Sequence, residues 1–283
     1  MTRQPFLGIA LPALEGDASR KGEENNARPS KIWLSSRGQR ISKQSGRNRR
    51  QNKSDLINIA TWNVRTMLDS SNRPRRRTAL IDLELGKVKV GIAALQEVRL
   101  SGEGHLREAG RTFYWKGCPE GEPRRAGVAF VIENKLAKNL SEAPKGVSER
   151  IMTMRLNICQ SRYVSIVNVY APTMTYPEEE REAFYRQLRE VLAGVPDADK
   201  LSILGDFNAR VGDDHNTWRG AIGKFGRGRL NENGELLLCM CTELELAITN
   251  TYFQQPKTTT SRGNTHGPSD RTSWTMSSLD EEI

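Results

Sequence analysis

Short apolar runs alternate with stretches of helical period from residue 55 to residue 256, which is the pattern of an α/β domain. Helical periodicity occupies residues 75–88, 177–194 and a stretch near 233–245. Apolar runs typical of strands occupy residues 56–64, 90–98, 126–133, 150–158, 163–173, 200–208 and 246–253. Because several strands follow one another without a helix between them, the pattern predicts an α/β sandwich of mixed sheets rather than a parallel doubly wound sheet.

The composition agrees with one large domain that follows a tail, since 36% of the 283 residues are hydrophobic and 27% are charged. The sequence has no run of about 18 apolar residues. It also has no long apolar segment behind basic residues at the N-terminus. We therefore expect neither a membrane span nor a secretion signal, and we expect an intracellular, nuclear location.

The positive charge is concentrated in residues 1–54. The chain has a formal net charge of +9; this basic tail contains 12 Lys and Arg against 4 Asp and Glu, a net of +8, and the other residues together carry +1. The tail lacks a hydrophobic period and is rich in Ser, Gln, Asn and Arg, which predicts disorder. Such a tail binds nucleic acid without sequence preference, serves as a nuclear address, or is solvated and has no specific role.

Polar side chains stand at the C-terminal ends of the predicted strands: Asn63, Glu97, Tyr170, Asp206 and Asn208. Each one alone is typical of a strand cap or a turn, but in sheet-based enzymes the side chains at strand ends converge. Carboxylate and amide oxygens suit Mg²⁺ or Mn²⁺, whereas a zinc site uses His or Cys. The set predicts attack on a phosphodiester, with an ion near Glu97 and Asp206 as the base that takes a proton from water. Asn208 and Tyr170 would donate hydrogen bonds to the phosphate oxygens.

Four motifs, "TWNVRTM", "LQEVRL", "NVYAPT" and "LGDFNARVG", carry a resemblance to a known family. In this order and spacing, the chain resembles the endonuclease/exonuclease/phosphatase superfamily, which includes exonuclease III, apurinic endonucleases and DNase I. The "NVRTM", "GDFNARVG" and "LNENGELLL…TNTYF" segments are more similar still to endonuclease domains of non-LTR retrotransposons and to the craniofacial development protein 2-like sequences derived from them. The resemblance covers about residues 57–253.

The resemblance implies a four-layered α/β sandwich and a phosphodiesterase that depends on Mg²⁺ or Mn²⁺. It implies DNA, or else RNA, as the partner, bound through a cleft and the basic tail. By motif, it implies metal binding by Asn63 and Glu97, a phosphate contact by Tyr170, a water-activating base at Asp206 and a transition-state donor at Asn208. We also expect Arg99 and Arg125 to bind substrate.

The chain departs from the family after the "TNTYF" segment, where relatives continue with a strand that carries an Asp and finish with Ser-Asp-His. Residues 257–283 are predicted to be irregular, and Ser269 and Asp270 match the last motif only superficially because Arg271 follows them. One permitted set of codons for residues 263–278 encodes a Leu-Leu-Asp-Tyr-Val-Ile run in another reading frame. We therefore expect a frameshift and impaired catalysis, and the nucleotide sequence of codons 257–283 tests the frameshift.

Three functions stay open from the sequence. The first is a metal-dependent endonuclease of the retrotransposon type. The second is a domesticated or decaying copy without activity that at most binds nucleic acid. The third and weakest is a phosphatase that acts on inositol or sphingolipid substrates, against which the retrotransposon-like motifs argue.

Deletion of residues 1–54 should flatten the salt dependence of nucleic-acid binding. The tail carries +8 of the net charge of +9, and the slope of affinity against salt concentration scales with the number of phosphates that cations contact. Filter-binding titrations at a series of salt concentrations measure this slope. An unchanged slope would assign binding to the folded domain.

Overall fold

The structure, a computed structural model, describes residues 57–69, 75–138, 140, 142–159, 162–253 and 274–278. The basic tail lies outside the described residues. So do His266, Ser269 and Asp270, and what the sequence predicts for them stays a prediction.

The described part contains eleven strands, four α-helices and one short 3-10 helix. The strands are β1 (Ile59–Asn63), β2 (Ile92–Gln96), β3 (Glu103–Arg107), β4 (Arg111–Lys116), β5 (Val128–Glu133), β6 (Lys145–Ser148), β7 (Ile151–Cys159), β8 (Arg162–Tyr170), β9 (Lys200–Asp206), β10 (Leu246–Ile248) and β11 (Trp274–Ser278). The helices are α1 (Arg77–Lys87), α2 (Asn134–Ala137), α3 (Glu178–Ala193) and α4 (Glu232–Glu243), with the 3-10 helix at Thr249–Thr251. Among the described residues, no helix is both long and apolar enough to cross a membrane.

The strands form two mixed sheets. Sheet A has the order β1-β2-β5-β4-β3, and sheet B has the order β10-β11-β9-β8-β7-β6. The neighbours β1 and β2 run parallel in sheet A, as β8 and β9 do in sheet B. The other neighbouring strands run antiparallel.

Three apolar layers hold four layers of secondary structure together. Successive side chains of a strand face opposite sides of its sheet, so in β5 Phe130 packs between the two sheets while Val131 packs toward α1. In sheet B, Leu204 packs between the sheets and Ile203 packs toward α3 and α4. The order α1, sheet A, sheet B, α3 with α4 confirms the predicted four-layered α/β sandwich.

Each predicted helix or strand-like run contains the expected element, with one partial exception. In the run 246–253 the strand ends at Ile248 and the 3-10 helix follows, so the strand prediction is wrong for the remaining residues. The Thr251 hydroxyl donates to the Ile248 carbonyl oxygen over 2.6 Å. Such a local side-chain bond competes with a strand ladder.

The sequence pattern does not predict β3, β4, β6 or β11. Strand β3 is only half buried and shows no apolar alternation. Strand β11 lies within residues 257–283, which are predicted to be irregular, and it pairs with β10 on one side and β9 on the other. It supplies backbone partners that sheet edges otherwise lack, a long-range reason that the local sequence does not show.

Gly205 allows β8 and β9 to approach each other immediately before Asp206. Its φ is +155°, and a Cβ added to it would lie 2.1 Å from the Val169 carbonyl oxygen. Only glycine adopts such a conformation readily. The close contact therefore positions the backbone of β9 immediately before Asp206.

Substitution Gly205→Ala should lower the free energy of unfolding by at least about 2 kcal/mol, because the new methyl group overlaps a backbone oxygen and the φ becomes strained. Urea denaturation measures the change. Gly194→Ala is the matched control, since Gly194 ends α3 with a φ of −81° and its nearest atom would be 3.5 Å away. The control should change stability by no more than about 1 kcal/mol; equal losses at both positions would contradict the close contact.

Candidate active site

The predicted site residues lie at one edge of the sandwich, where two pairs of parallel strands end. In sheet A, Asn63 pairs in register with Gln96, so Glu97 comes directly after the last paired residue. In sheet B, Tyr170 pairs in register with Asp206. The period of two along each strand places these paired residues on the faces that pack between the sheets.

A hydrogen bond between Asn63 and Asp206 joins the two sheets at this edge. The Asn63 side-chain amide donates to Asp206 Oδ2 over 3.0 Å, and the Asn208 backbone N–H donates to Asp206 Oδ1 over 2.9 Å. Asn63 Oδ1 accepts a bond of 3.0 Å from the Arg65 backbone N–H. Since Asp206 is only 2% exposed, these bonds supply the donors that a buried carboxylate requires.

Glu97 forms an ion pair with Arg99 beside this contact. The Arg99 guanidinium donates to the Glu97 carboxylate, and the Glu97 side chain is 8% exposed. The structure thus joins a predicted metal ligand to a predicted substrate-binding residue. Asn63 and Glu97 stand at the ends of neighbouring strands.

The backbone around the site is strained at four residues. Non-glycine residues with φ in the left-handed region include Arg65 (62°), Glu97 (59°), Arg99 (56°) and Asn208 (48°). Elsewhere in the described residues only Lys89 and Glu245 share this property. Each such conformation costs on the order of 1–3 kcal/mol and tends to persist where function needs a fixed geometry.

Helix α4 supports the loop that carries Asn208. The Asn208 side chain donates to the Ala171 carbonyl oxygen over 2.8 Å. The buried Asn233 side chain donates to the carbonyl oxygens of Pro172 and Asn208 over 2.8 and 3.2 Å. Burial raises the pKa of Tyr185, whose hydroxyl stays protonated and donates to the Asn233 carbonyl oxygen over 3.1 Å. These bonds connect the segments that follow β8 and β9.

Arg150 contacts Tyr170 and places a positive charge near it. Its Nη1 donates to the Tyr170 carbonyl oxygen over 3.2 Å, and its guanidinium lies 5.6 Å from the Tyr170 ring centroid and 4.9 Å from that of Tyr176. Arg125, Arg150 and Tyr176 line a cavity of about 270 Å³, together with Glu149 and two further acidic side chains among others. The predicted substrate-binding residue Arg125 thus shares a cavity with Arg150, which contacts Tyr170.

A buried network of side-chain hydrogen bonds lies behind the site. Gln96 Nε2 donates to Asn168 Oδ1 over 2.7 Å, and Thr61 donates to Gln96 Oε1 over 3.2 Å. Asn168 Nδ2 donates to the carbonyl oxygens of Leu95 and Ala129 over 3.0 and 2.8 Å. Gln96 and Asn168 are fully buried, so this network connects the interiors of the two sheets.

The sequence reasoning missed Gln96, Asn168, Arg150 and Asn233. A signal exists for Asn168, a polar residue that interrupts the run of apolar residues on one face of β8. Gln96 likewise shares a face with apolar residues of β2. Arg150 and Asn233 give no comparable signal, because their contacts involve residues far away in the sequence.

The donor groups at the strand ends are carboxylates and amides. No group of three His, Cys, Asp or Glu side chains that could hold a metal ion occurs within the described ranges. The two described histidines have other surroundings: His105 stacks on Tyr114, and the His215 ring lies 3.3 Å from the Asp213 carbonyl oxygen. One carboxylate with amide and water ligands suits a hard cation such as Mg²⁺ and does not suit zinc.

Comparison with known proteins agrees with this geometry. The sequence profile described as the Endonuclease/Exonuclease/phosphatase family matches residues 60–276. Craniofacial development protein 2 of Bos taurus is 33% identical over 198 residues, which cover 70% of this chain and 31% of that protein. Craniofacial development protein 2 of Tragulus javanicus is 32% identical over 198 residues, which cover 70% of this chain and 32% of that protein. The chain thus spans about a third of the length of these relatives.

Among solved structures, the AP endonuclease LMAP from Leishmania major resembles this chain with a TM-score of 0.54 and 14% sequence identity. The match covers 83% of this chain and 84% of the other. At this identity the likeness concerns the fold alone. It agrees with the two mixed sheets and the helices on their outer faces.

Substitution Asn168→Leu should lower the free energy of unfolding by about 1–3 kcal/mol, because it removes one buried hydrogen-bond partner from Gln96 and one from each of the Leu95 and Ala129 carbonyl oxygens. The double variant Gln96→Leu/Asn168→Leu should lose less than the sum of the single variants, since both partners are then apolar. Urea denaturation of the four proteins measures the coupling. Ile166→Val, on the same face of β8, is the control for packing and should cost about 0.5–1.5 kcal/mol. Strict additivity would contradict the network.

Proposed function

The chain belongs to the Endonuclease/Exonuclease/phosphatase family, and we propose that it hydrolyses phosphodiester bonds of DNA with Mg²⁺ or Mn²⁺. The family relationship by itself implies hydrolysis of phosphodiesters in nucleic acids or related substrates. The observation that carries the proposal is the bond between Asn63 and Asp206. It brings the ends of both sheets, with Asn208 and Tyr170, into one site.

The residues at the strand ends fit a hard divalent cation. Mg²⁺ is usually held by one or two carboxylates and several waters; Glu97 supplies a carboxylate and Asn63 Oδ1 an amide oxygen. The buried Glu97 carboxylate needs a neighbouring positive charge, a need that Arg99 meets in the structure and that a cation would also meet. When bound, the cation would neutralise negative charge on the phosphate.

Asp206 is the proposed base that takes a proton from the attacking water. The bonds from Asn63 and Asn208 fix the orientation of its carboxylate, which is the group that would accept the proton. Asn208 carries two amide hydrogens. One of them binds the Ala171 carbonyl oxygen, and we propose that the other stabilises the phosphate in the transition state.

Tyr170, Arg125 and Arg150 are the proposed contacts to the substrate phosphates. Arg150 fixes Tyr170 through its carbonyl oxygen and its ring. Arg125 is a second cation in the same cavity, which three acidic side chains also line. The basic tail adds positive charge, which attracts DNA without reading its sequence. The retrotransposon-like motifs support DNA over RNA and, with the tail, a nuclear location.

Substitution Asp206→Asn should lower the rate of plasmid nicking about 10²- to 10⁴-fold, because the amide preserves the shape of the side chain but cannot take the proton. The full chain is incubated with supercoiled plasmid and Mg²⁺, and the nicked fraction is measured over time. Asp213→Asn is the matched control, since it makes the same charge change at an exposed residue of the following loop. It should nick at the rate of the unchanged chain.

One outcome would remove the enzymatic proposal. If the unchanged chain and Asp206→Asn have the same rate in Mg²⁺ and in EDTA, while urea denaturation shows both to be folded, hydrolysis at this site is excluded. The chain would then be a catalytically inactive copy that at most binds nucleic acid.

A further inference from the structure

A second cavity is lined by Tyr252 and by residues of the segment between β9 and α4, residues 207–231. This loop cavity has a volume of about 360 Å³, and five of its lining residues are His215, Arg219, Lys224, Phe225 and Tyr252. Its volume lies in the range of small-molecule sites, about 300–1,000 Å³. None of these five residues has a role in the proposed hydrolysis.

The loop cavity lies at the same edge of sheet B as Asp206. Strand β11 runs antiparallel to both β9 and β10, so β9 and β10 run parallel and end at the same edge. In the register, Ile248 of β10 is level with Ile203 of β9, because both pair with Met276. Two strand spacings of about 4.8 Å separate β10 from β9. Strand β10 therefore lies roughly 10 Å across the sheet from the strand that carries Asp206, and Tyr252 follows β10 after the 3-10 helix.

Hydrogen bonds to the segment after β10 hold the loop cavity in shape. The Gly223 backbone N–H donates to the Thr251 hydroxyl over 2.7 Å, and the Phe225 backbone N–H donates to the Thr251 carbonyl oxygen over 2.8 Å. The Tyr252 hydroxyl donates to the Gly220 carbonyl oxygen over 2.6 Å. A preformed cavity loses less entropy when a ligand binds.

The loop carries an excess of positive charge. Residues 207–231 contain five cationic side chains against two acidic ones, a net of +3, whereas residues 55–283 together carry only +1. Arg219 and Lys224 are exposed, and neither forms an ion pair with another described residue. This charge is complementary to a polyanion.

An exposed aromatic side chain lines the same cavity as these cations. Phe225 is 42% exposed, and Tyr252 is half-buried in the same cavity. An apolar ring in water is unfavourable unless a ligand covers it. Proteins that bind single strands combine cations that contact phosphates with aromatic rings on which bases stack, and the loop cavity has both.

We propose that the loop cavity binds an unpaired DNA nucleotide next to the phosphate that is cleaved. The base stacks on Phe225, and Arg219 and Lys224 contact its phosphates. The inference rests on the proposed function, which places DNA at this edge, and it narrows the substrate class to DNA with an unpaired nucleotide beside the cleavage position.

The test compares the binding of two short strands to the full chain in EDTA, where hydrolysis is blocked. One strand is oligothymidylate and the other has the same number of phosphates but no bases, so the basic tail contacts both through phosphates alike. Fluorescence anisotropy gives the ratio of the two dissociation constants. The unchanged chain should prefer the strand with bases by about tenfold, the usual contribution of one stacked base.

In Phe225→Ala the ratio of dissociation constants should fall toward one. Leu83→Ala is the control for loss of an exposed apolar side chain, since Leu83 is 48% exposed on α1, and it should keep the full ratio. Arg219→Gln/Lys224→Gln should weaken binding of both strands about tenfold more than Lys135→Gln/Lys138→Gln. That second pair makes the same charge change on exposed residues at α2.

The inference is overturned if Phe225→Ala keeps the preference for bases, if Leu83→Ala loses it equally, or if both pairs of charge variants weaken binding alike. Plasmid nicking by the unchanged chain separates this result from the proposed function. If the chain nicks plasmid but shows no preference for bases, base binding in the loop cavity is excluded and the endonuclease proposal stands. If the chain prefers bases through Phe225 but does not nick plasmid, the loop cavity stands as a binding site and the proposed hydrolysis is excluded.

Discussion

Buried side-chain hydrogen bonds between the two sheets are the interaction on which the active edge depends. Apolar burial is non-directional, whereas a buried amide needs a partner at a defined position and costs about 1–3 kcal/mol without it. Asn168 of sheet B contacts Gln96 and the carbonyl oxygens of two strands of sheet A. Two residues further along β8, Tyr170 pairs with Asp206, which Asn63 of sheet A contacts. These bonds fix the position of one sheet relative to the other, so the strand ends that carry the proposed catalytic residues lie together.

The backbone at this edge is held in conformations that an isolated chain avoids. Glu97 and Asn208 follow their strands with left-handed φ angles, and Gly205 brings β9 against the Val169 carbonyl oxygen. The strain persists because neighbouring contacts determine it: Asn233 of α4 binds the Asn208 carbonyl oxygen, and Arg99 pairs with Glu97. Packing in the outer helical layer thus contributes to the orientation of groups at the edge where the strands end.

Two kinds of positive charge surround the proposed substrate position, and they differ in how they are fixed. Arg150 is half-buried and held against Tyr170 and Tyr176, so its position is set by packing. Arg219 and Lys224 are exposed on a loop whose backbone is bound to Thr251. The first kind suits a fixed contact near the reaction, and the second suits a phosphate backbone that approaches from solvent.

The sequence alone determined the layered α/β class, the positions of the main strands and helices, and the polar residues at the strand ends. Those features are local, because strand and helix periods, turn residues and short motifs are read within about ten residues. Only the tertiary structure decided that Asn63 binds Asp206, that Arg99 pairs with Glu97, and that residues 274–278 form a strand between β9 and β10. It also decided the place of Arg150. The bond between Asn63 and Asp206 depends on the packing of the two sheets, and the strand at residues 274–278 depends on pairing with strands distant in the sequence. The ion pair of Arg99 with Glu97 depends on left-handed backbone at both residues. None of these can be read from one strand's own pattern.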